Sequence, residues 1–431
     1  MRRVSEIRAI AALSSRNFRL YFVGQCFALT GTWMQRLAMS WLVLEMTRSG
    51  SLMGVVEFIN QAPVFVLGMF TGVFLDRHDL RSVLIVAQCC TIVHSLALAV
   101  LLYLGLMTVP MLLMLSFLLG IITAIDMPAR QAGVSQMIEH PSQLQSALSL
   151  QSGSFNLARL VGPAIAGFVV KGGEEIARYF GVEVRAIGEI ACFALNAVAH
   201  TAVLYAFILM RLPQREMAPR SQRPLSALRE GFRYSMSSKP IKYCLLFTYA
   251  FSFFSMAYVI LLPLFAKRVL DGDSRHLGSL LGALGIGALV GVMYMAAKIG
   301  ARQLPRHIIR MQIAFGILFS IFSQVTDWRI SVALMPLVGF SIVSASVASN
   351  SLIQSLVEEN KRGRVLSLYV LGSLGFGPVG SLLAGHVADA IGAQNCALIC
   401  GVMALFVGIL HAGKLRVYKE TVDPILKAKG L

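Results

Sequence analysis

Residues 136–150 read QMIEHPSQLQSALSL and residues 162–167 read GPAIAG, and the pattern returns as QSLVEENKRGRVLSL at 354–368 and GPVGSLLAG at 377–385. The two stretches align without a gap at an offset of 218 positions, almost half of the 431-residue chain. A long internal repeat in an apolar chain is typical of transporters, whose two halves rock around a shared central site. The positions identical at this offset include Gln136/Gln354, Leu148/Leu366, Ser149/Ser367, Leu150/Leu368, Gly162/Gly380, Ala166/Ala384 and Gly167/Gly385.

The composition excludes an ordinary soluble domain. Hydrophobic residues make up 56% of the chain and charged residues only 14%, against about 25% charged in soluble domains. Because a spanning helix needs about 20 mostly apolar residues, we predict twelve membrane helices, six in each half. A β-barrel is excluded because barrel strands alternate in polarity, whereas these windows are continuously apolar. The windows lie at roughly 18–45, 52–75, 83–106, 110–131, 146–170, 188–210, 241–264, 277–298, 308–326, 330–354, 366–390 and 394–413.

The net charge of +17 is concentrated in alternate loops. If the amino terminus is cytoplasmic, the cytoplasmic segments hold 27 of the 38 Lys and Arg residues and the outer loops hold 8. This distribution follows the positive-inside rule, so we expect both termini in the cytoplasm and the chain in the cell inner membrane. The basic surface then faces anionic lipid headgroups, and nucleic acid is not expected as a partner.

No motif indicates an enzyme, a metal or a cofactor. The seven cysteines show no paired C-x-x-C spacing and are interpreted as small apolar residues. A phosphate-binding loop is approached only at 408–415, where Leu415 replaces the Ser or Thr that holds magnesium. We therefore expect no catalytic residues, no metal site and no cofactor.

The longest polar stretch, 211–242, separates the two halves, and together with the polar ends of the chain it defines five segments. We predict a cytoplasmic segment at 1–17, a six-helix bundle at 18–210, a cytoplasmic linker at 211–240, a second six-helix bundle at 241–413 and a cytoplasmic tail at 414–431. Apolar residues recur at helical spacing behind Pro224 in the linker, which indicates a short amphipathic helix on the membrane surface. A simple tether and a regulatory element are both open interpretations of this helix.

The loop between the second and third windows reads GVFLDRHDLR at 72–81. Gly72 permits close helix approach, Asp76 can cap or pair with a neighbouring helix end, and Arg77 and Arg81 mark the cytoplasmic boundary. This pattern resembles the cytoplasmic gating motif of the major facilitator superfamily. That family has twelve helices in two pseudo-symmetric six-helix bundles, so the resemblance implies an all-α membrane fold of this kind.

Five further stretches resemble one branch of that superfamily, the enterobactin-exporter-like and macrolide-efflux-like group. Members of this group export siderophores, macrolides and other drugs, so the resemblance implies a drug:proton antiporter type of transporter. The chain departs from the family at Leu80 and Ser82, where the gate loop is usually richer in basic residues. The stretches are GTWMQR at 31–36, DMPARQA at 126–132, FNLARLVGPAIAG at 155–167, CFALN at 192–196 and RGRVLSLY at 362–369.

Arg36 and Glu57 are charged residues that the windows place inside the bilayer. Arg36 lies about 21 Å and Glu57 about 22 Å from the inner face of a core about 30 Å thick, so the two residues are predicted to pair. The pair has two interpretations: a static lock between adjacent helices, or a proton-carrying Glu57 for which Arg36 and substrate compete. Asn60 and Gln61, one turn further along, either line the same cavity or hydrogen-bond a neighbouring helix.

Arg159 lies about 20 Å from the inner face, within a segment that also contains Asn156. The family resemblance puts this segment at the interface between the halves, where Gly162, Pro163 and Gly167 allow close packing and a bend. A second arginine near Arg36 favours an anionic or catechol-like substrate, or alternatively packs against helix-end carbonyls. Gly377 and Pro378 in the second half are also expected to form a helix bend or interface.

Asp126 and Arg130 lie four residues apart at the inner end of the fourth window, with Pro128 expected to break the helix between them. They most resemble a cytoplasmic-gate pair. His94 and His200 are expected to be core residues in preference to proton relays. The aromatic run from Phe247 to Tyr258 provides either a wall for apolar substrate or ordinary core.

These features together predict a proton-coupled secondary exporter of a small organic molecule, siderophore or drug-like, which works by alternating access. Export is implied by the resemblance alone. The alternatives are an importer or facilitator of the same fold and, from another class, a non-transporting membrane partner protein. One chain already contains both halves, so a monomer is sufficient.

Overall fold

The computed structural model describes residues 10–181, 186–210 and 224–428. These residues form helices joined by short loops, and no strand occurs among them. The helices, in chain order, are α1 (Arg16–Thr47), α2 (Gly50–Leu75), α3 (Leu80–Tyr103), α4 (Val109–Met137), α5 (Leu144–Tyr179), α6 (Ile187–Leu209), α7 (Pro224–Ser237), α8 (Lys239–Ser255), α9 (Tyr258–Leu264), α10 (Ser274–Lys298), α11 (Leu304–Gln324), α12 (Trp328–Leu356), α13 (Glu359–Ile391), α14 (Ala393–Ala412) and α15 (Leu415–Ala428).

Eleven spans in the described part of the chain are long and apolar enough to cross a membrane, with α8 and α9 together forming one of them. They coincide with eleven of the twelve predicted windows. The remaining window falls on α1, whose 32 residues extend about 48 Å, more than a bilayer requires. α1 is less apolar than the others because it contains Arg16, Arg19, Arg36 and Glu45. The prediction of an all-α, multi-pass membrane fold is confirmed.

α4 is longer than its predicted window and continues through Pro128 to Met137. The expected helix break at this proline is therefore wrong. A proline inside a helix removes one backbone hydrogen bond and bends the axis, but packing of the flanking turns can retain the helix. Ala129 and Val134 on those turns are fully buried, and this packing holds α4 together.

The polar segments contain two helices. α7 begins at Pro224, where the sequence predicts a short linker helix, while residues 211–223 of that linker lie outside the described residues. The segment predicted only as a tail contains α15, whose Tyr418 is buried and lies 2.9 Å from His411 Nε2. Residues 1–9 and 429–431 of the predicted terminal segments also lie outside the described residues.

The chain divides into two compact units. The first unit contains Met1–Met46, Ile59–Ser221 and Asp273–Gly282. Its core joins α1, α3, α4 and α6, and the buried side chains include Phe18, Tyr21, Leu84, Val134 and Phe207.

The second unit contains Thr47–Phe58, Gln222–Gly272 and Ala283–Leu431. Two helices therefore have more than one turn in each unit: α2 begins in the second unit and ends in the first, and α10 begins in the first and ends in the second. The buried side chains of the second core include Ile241, Leu304, Ile308, Leu352 and Tyr418.

Candidate functional site

Trp33 on α1 is the centre of a cation–aromatic cluster in the first unit. The Arg36 Cζ atom lies 5.4 Å from the centroid of the indole, and the Arg159 Cζ atom of α5 lies 5.8 Å from it. Phe155, also on α5, approaches edge-on with 5.7 Å between ring centroids. A guanidinium over an indole gains about 0.5–2 kcal/mol. The indole therefore brings together Arg36 and Arg159, the two arginines predicted from the sequence.

Gly162 explains how α5 reaches α1 closely enough to form this cluster. A Cβ atom at Gly162 would lie 2.6 Å from the Trp33 Cβ atom and 2.8 Å from the carbonyl oxygen of Thr30. Such distances leave room only for hydrogen, so the glycine permits backbone contact between the two helices. Pro163 follows inside the same helix.

The two predicted asparagines make hydrogen bonds within the first unit. Asn156 is 8% exposed, and its Nδ2 atom donates to the carbonyl of Ser152 on the same helix at 2.8 Å. Asn60 Nδ2 donates to the carbonyl of Ser116 on α4 at 3.2 Å, which corresponds to the helix–helix role considered for it. Glu57 belongs to the second unit, and its pairing with Arg36 in the first stays a prediction.

A buried chain of hydrogen bonds connects the predicted gate pair with α1. Asp126 forms an ion pair with Arg130 and accepts a hydrogen bond from Gln88 Nε2 at 2.8 Å. Because the Gln88 amide donates in this way, its oxygen accepts from His200 Nδ1 at 2.7 Å. The other ring nitrogen of His200 lies 3.2 Å from the Thr32 hydroxyl, one residue before Trp33. Hydrogen bonds thus connect the carboxylate of Asp126 to the turn of α1 that carries Trp33.

A second buried network lies one turn further along α1. The Gln35 Oε1 atom accepts from Ser95 Oγ at 2.8 Å and from Asn196 Nδ2 at 2.7 Å. The Asn196 amide also donates to Ser95 Oγ at 2.9 Å. Gln35, Ser95 and Asn196 are not among the predicted site residues, because they lie 60 to 161 positions apart in the sequence. Their sequence does carry a signal, namely a side-chain amide inside an apolar span. Each such amide needs hydrogen-bond partners on neighbouring helices.

The gate loop makes two helix-end contacts. The Asp79 carboxylate caps α3 by accepting from the backbone and hydroxyl of Ser82, and these hydrogen bonds lower the pKa of Asp79. Arg81 Nε and Nη2 donate to the carbonyls of Phe207 and Ile208 at 3.0 and 2.6 Å, at the end of α6. A cation at a helix carboxyl end is favourable. Arg81 thus makes the kind of helix-end contact that was predicted for Asp76.

The predicted role of Gly72 in close helix packing stays a prediction. Gly72 is exposed, and among the described residues nothing lies within 4 Å of a Cβ atom placed there. The described residues therefore show no close helix contact at Gly72. Asp76 and Arg77 follow in the turn after α2, where Arg77 is exposed.

The remaining bend residues pack closely. A Cβ atom at Gly167 would lie 2.6 Å from the carbonyl oxygen of Ser274, at the start of α10. In the second unit, a Cβ atom at Gly377 would lie 2.9 Å from Met256 Cγ, and Pro378 lies inside α13. Close approach at Gly167 and Gly377 fits the expected helix contacts.

The aromatic run of the seventh span packs within the second unit. Phe247 stacks on His411 at 4.3 Å, Phe251 contacts Phe315 edge-on at 5.3 Å, and both phenylalanines are buried. These contacts favour the core interpretation over a substrate wall. His94 and His200 are also buried in the first unit, and His94 Nε2 lies 3.0 Å from the carbonyl of Leu115. Among the described residues no group of three His, Cys, Asp or Glu could hold a metal ion.

A helical membrane fold with paired charges, buried polar networks and an internal repeat defines a secondary transporter and not an enzyme. The family model described as "Transmembrane secretion effector" matches residues 7–427. The chain belongs to this family of major facilitator transporters, as the sequence resemblance implied.

The chain is similar to the Staphyloferrin A transporter of Staphylococcus aureus, with 25% identity over 89% of this chain and 93% of the relative. It is also similar to Macrolide efflux protein A of Streptococcus pyogenes, with 24% identity over 91% and 94% of the two chains. Multidrug efflux pump Tap of Mycolicibacterium fortuitum is 24% identical over 87% and 90%.

Two solved structures share the fold. A bacterial homolog of the human lysosomal transporter Spinster superposes with a TM-score of 0.76 over 94% of this chain and 98% of its own, at 12% identity. A D-xylose-proton symporter gives a TM-score of 0.67 over 93% and 97%, at 13% identity. The transporter takes a small-molecule substrate, and the chain is a multi-pass membrane protein.

Proposed function

We propose that this transporter exports a small organic molecule, siderophore or drug-like, in exchange for protons. The cluster of Arg36, Arg159 and Trp33 carries the proposal. The two guanidinium groups lie 5.4 and 5.8 Å from the indole centroid, and guanidinium is the side-chain group best suited to bind a carboxylate or catecholate. An aromatic anion fits such a site, since the indole offers it a face and the arginines offer charge.

The names of the relatives support the chemistry and the direction. One relative is a transporter of a siderophore, and two others are efflux proteins for macrolides or several drugs. We assign the buried Asp126–Arg130 pair to the cytoplasmic gate, together with Arg81. Because the chain of hydrogen bonds from Asp126 ends at Thr32, opening of this gate would alter the polar support of the cluster.

The remaining assignments follow the sequence. Glu57 is the proposed proton carrier, with Arg36 and substrate in competition for it. The transporter lies in the inner membrane among lipids, has both termini in the cytoplasm and functions as a monomer. Its proposed bundles are residues 18–210 and 241–413, joined by the linker 211–240. The other proposed site residues are Asn60, Gln61 and Asn156 in the pathway, Asp76 and Arg77 at the gate, and Gly162, Pro163, Gly167, Gly377 and Pro378 at helix bends.

Transport by inverted membrane vesicles under an imposed proton gradient tests the proposal. We expect gradient-dependent uptake of a catecholate siderophore, abolition of that dependence by Glu57→Gln, and a tenfold or larger loss of uptake in Arg159→Gln, because a hydrogen bond to a charged group contributes about 1.5–3 kcal/mol. Arg329→Gln is the matched control, since Arg329 also lies over an indole, at 5.9 Å from Trp328, but is exposed.

Several outcomes would contradict the proposal. Uptake of a cationic macrolide that exceeds uptake of the siderophore, and is unchanged in Arg159→Gln, would exclude the anionic site. Movement in the same direction without a gradient would support a facilitator, and accumulation only in right-side-out vesicles would support an importer. Unchanged proton coupling in Glu57→Gln would remove Glu57 from the mechanism.

A further inference from the structure

Asp389 near the end of α13 binds the start of α2, which lies 338 to 340 positions away along the chain. Its Oδ1 atom accepts from the backbone N–H of Gly50, and its Oδ2 atom accepts from the N–H of Ser51 and the hydroxyl of Ser49, all at 2.8 Å. Unpaired N–H groups and the helix dipole make a helix amino terminus a good site for an anion. Here a carboxylate from another helix occupies that site.

Further contacts in the second unit reinforce this arrangement. Arg268 donates to Asp389 Oδ1 from both terminal nitrogens at 3.2 Å and also donates to the carbonyl of Arg48. The backbones of α13 and α2 also touch at Gly385, because a Cβ atom there would lie 2.2 Å from the carbonyl oxygen of Gly50. We call the contact between Asp389 and residues 48–51 the α2–α13 clasp.

The repeat puts a related contact in the first unit. The offset of 218 positions pairs Asp389 with Lys171 and Gly385 with Gly167. Gly167 contacts the start of α10 as Gly385 contacts the start of α2, since a Cβ atom there would lie 2.6 Å from the carbonyl oxygen of Ser274. Lys171 Nζ lies 3.6 Å from Asp273 Oδ2. We call this contact the α5–α10 clasp.

The two clasps have opposite polarity. In the α5–α10 clasp the carboxylate belongs to the capped helix itself, because Asp273 accepts from the backbone N–H of Arg275 at 3.0 Å. In the α2–α13 clasp the capping position on the helix is Ser49, whose hydroxyl accepts from the N–H of Leu52 at 3.2 Å. The charged partner across the contact is therefore a lysine in one clasp and an aspartate in the other.

Asp273 is ionised under ordinary conditions. Burial alone would raise the pKa of its carboxyl, but hydrogen bonds from His276 and from the N–H of Arg275, together with the charge of Lys171, lower the pKa below its usual value. A second ion pair, Arg275 with Glu175 at 2.5 Å, crosses the same helices. The α5–α10 clasp is therefore held by charge at neutral pH.

We propose that Asp389 and Lys171 are the residues that hold the outer ends of these helices together, and that both clasps open and re-form in each transport cycle. Each clasp joins a helix from one half of the repeated sequence to a helix from the other half. Alternating access requires such helices to separate at one end, so the clasps set how often the outer side opens. The inference goes beyond the proposed function, since it depends on neither substrate nor coupling ion.

Thiol labelling of a cysteine-free variant tests the α2–α13 clasp. Ser381→Cys introduces a reporter on α13 that is 1% exposed and lies against α2, because a Cβ atom at Gly54 would lie 3.1 Å from the Ser381 carbonyl. We expect Asp389→Asn to raise its labelling rate by a membrane-impermeant maleimide in intact cells about tenfold, since charge-assisted hydrogen bonds are lost. Ser49→Ala removes one hydrogen bond and should give a smaller increase with less risk to folding.

Asp327→Asn is the matched control for this clasp. Asp327 also caps a helix in the second unit, accepting from the N–H of Arg329 at 2.7 Å, but it caps α12, the helix that follows it directly in the chain. Its loss should leave labelling of the reporter unchanged. The proposal would be overturned if the reporter were labelled no faster in Asp389→Asn and Ser49→Ala than in Asp327→Asn. Enhancement only in inverted vesicles would retain the clasp and contradict the proposed orientation of the chain.

Exchanging the charged groups of the α5–α10 clasp for those of the α2–α13 clasp tests it. Ser274→Cys is the reporter, since Ser274 is fully buried and its thiol should react only when the clasp opens. Lys171→Asp puts two carboxylates together and should raise labelling. The double variant Lys171→Asp with Asp273→Ser has an aspartate on α5 facing a serine at the start of α10, as Asp389 faces Ser49 in the α2–α13 clasp. Its labelling rate should therefore return towards the original rate. A double variant that labels as fast as Lys171→Asp alone would contradict the assigned equivalence of the two clasps.

Discussion

At the scale of single residues, the first unit shows how charge can be kept inside an apolar bundle. A charged side chain at the centre of a bilayer costs about 2.5–3.5 kcal/mol even on insertion scales. Arg36 and Arg159 offset part of this cost through the Trp33 indole, and Arg130 offsets it through Asp126. In the first arrangement the two guanidinium groups share one aromatic ring, and in the second arrangement an arginine forms an ion pair with a carboxylate.

Asp126→Ala should destabilise the protein by about 3–5 kcal/mol, because it leaves a buried arginine without its ion-pair partner. Asp126→Ala with Arg130→Met should recover part of this loss, since the uncompensated charge is removed. The matched control is Glu420→Gln, which breaks the pair with Arg416 at the same i, i+4 spacing but on an exposed surface, and should change stability by less than about 0.5 kcal/mol.

Thermal unfolding of the purified variants in detergent measures these effects. Equal melting temperatures for Asp126→Ala and Glu420→Gln would mean that the Asp126–Arg130 pair is not a stabilising contact of the folded state. A double variant less stable than Asp126→Ala alone would show that Arg130 is held by other groups.

At the scale of helices, the repeated glycines decide how α5 and α13 pack. Gly162 brings α5 against α1, and its repeat partner Gly380 brings α13 against α8, where a Cβ atom would lie 1.8 Å from the carbonyl oxygen of Phe253. The next pair, Gly167 and Gly385, contacts α10 and α2 at the clasps. The same two positions of the repeat thus make the same two kinds of contact in both copies.

Gly162→Ala should destabilise the protein by about 1–3 kcal/mol, the usual cost of overpacking, because the added methyl group meets backbone atoms of α1. It should also weaken substrate binding by moving Trp33 away from Arg159. Gly153→Ala on the same helix is the control, since nothing among the described residues lies within 4 Å of its Cβ position. This control should be neutral or stabilised by up to about 1 kcal/mol, the helix preference of alanine.

Melting temperatures and ligand-binding isotherms for both variants distinguish packing from helix propensity. If Gly162→Ala is as stable as Gly153→Ala and binds substrate equally well, the close contact between α5 and α1 is not required.

The same elements explain what sequence reasoning could and could not predict. Hydropathy is a local property, so the long helices and the repeat follow from the chain itself. The hydrogen bond between Gln88 and His200 joins residues 112 positions apart, and no local pattern indicates that the two face each other. Pro128 shows that a local pattern can also mislead. Proline usually breaks a helix, but here the packing of Ala129 and Val134 keeps the helix intact.

At the scale of the whole molecule, the distribution of charge predicts how the chain is oriented in the membrane. The excess of Lys and Arg in alternate loops predicts which side is cytoplasmic, because basic segments are retained on that side during insertion. The assignment of the clasps to the outer side depends on this orientation, since α2 and α10 begin on the side predicted to be outer. A measurement of orientation therefore tests the localisation and the direction of gate opening together.

Two single-cysteine variants of a cysteine-free protein provide that measurement. Thr108→Cys lies in the exposed loop before α4, and Ser237→Cys lies at the exposed end of α7. In intact cells a membrane-impermeant maleimide should label Thr108→Cys and not Ser237→Cys, and permeabilisation should make both react. Both sites are exposed to solvent, so a difference between them reports the side of the membrane and not burial. The reverse pattern would invert the proposed topology, and equal labelling in intact cells would mean that the basic loops do not fix a single orientation.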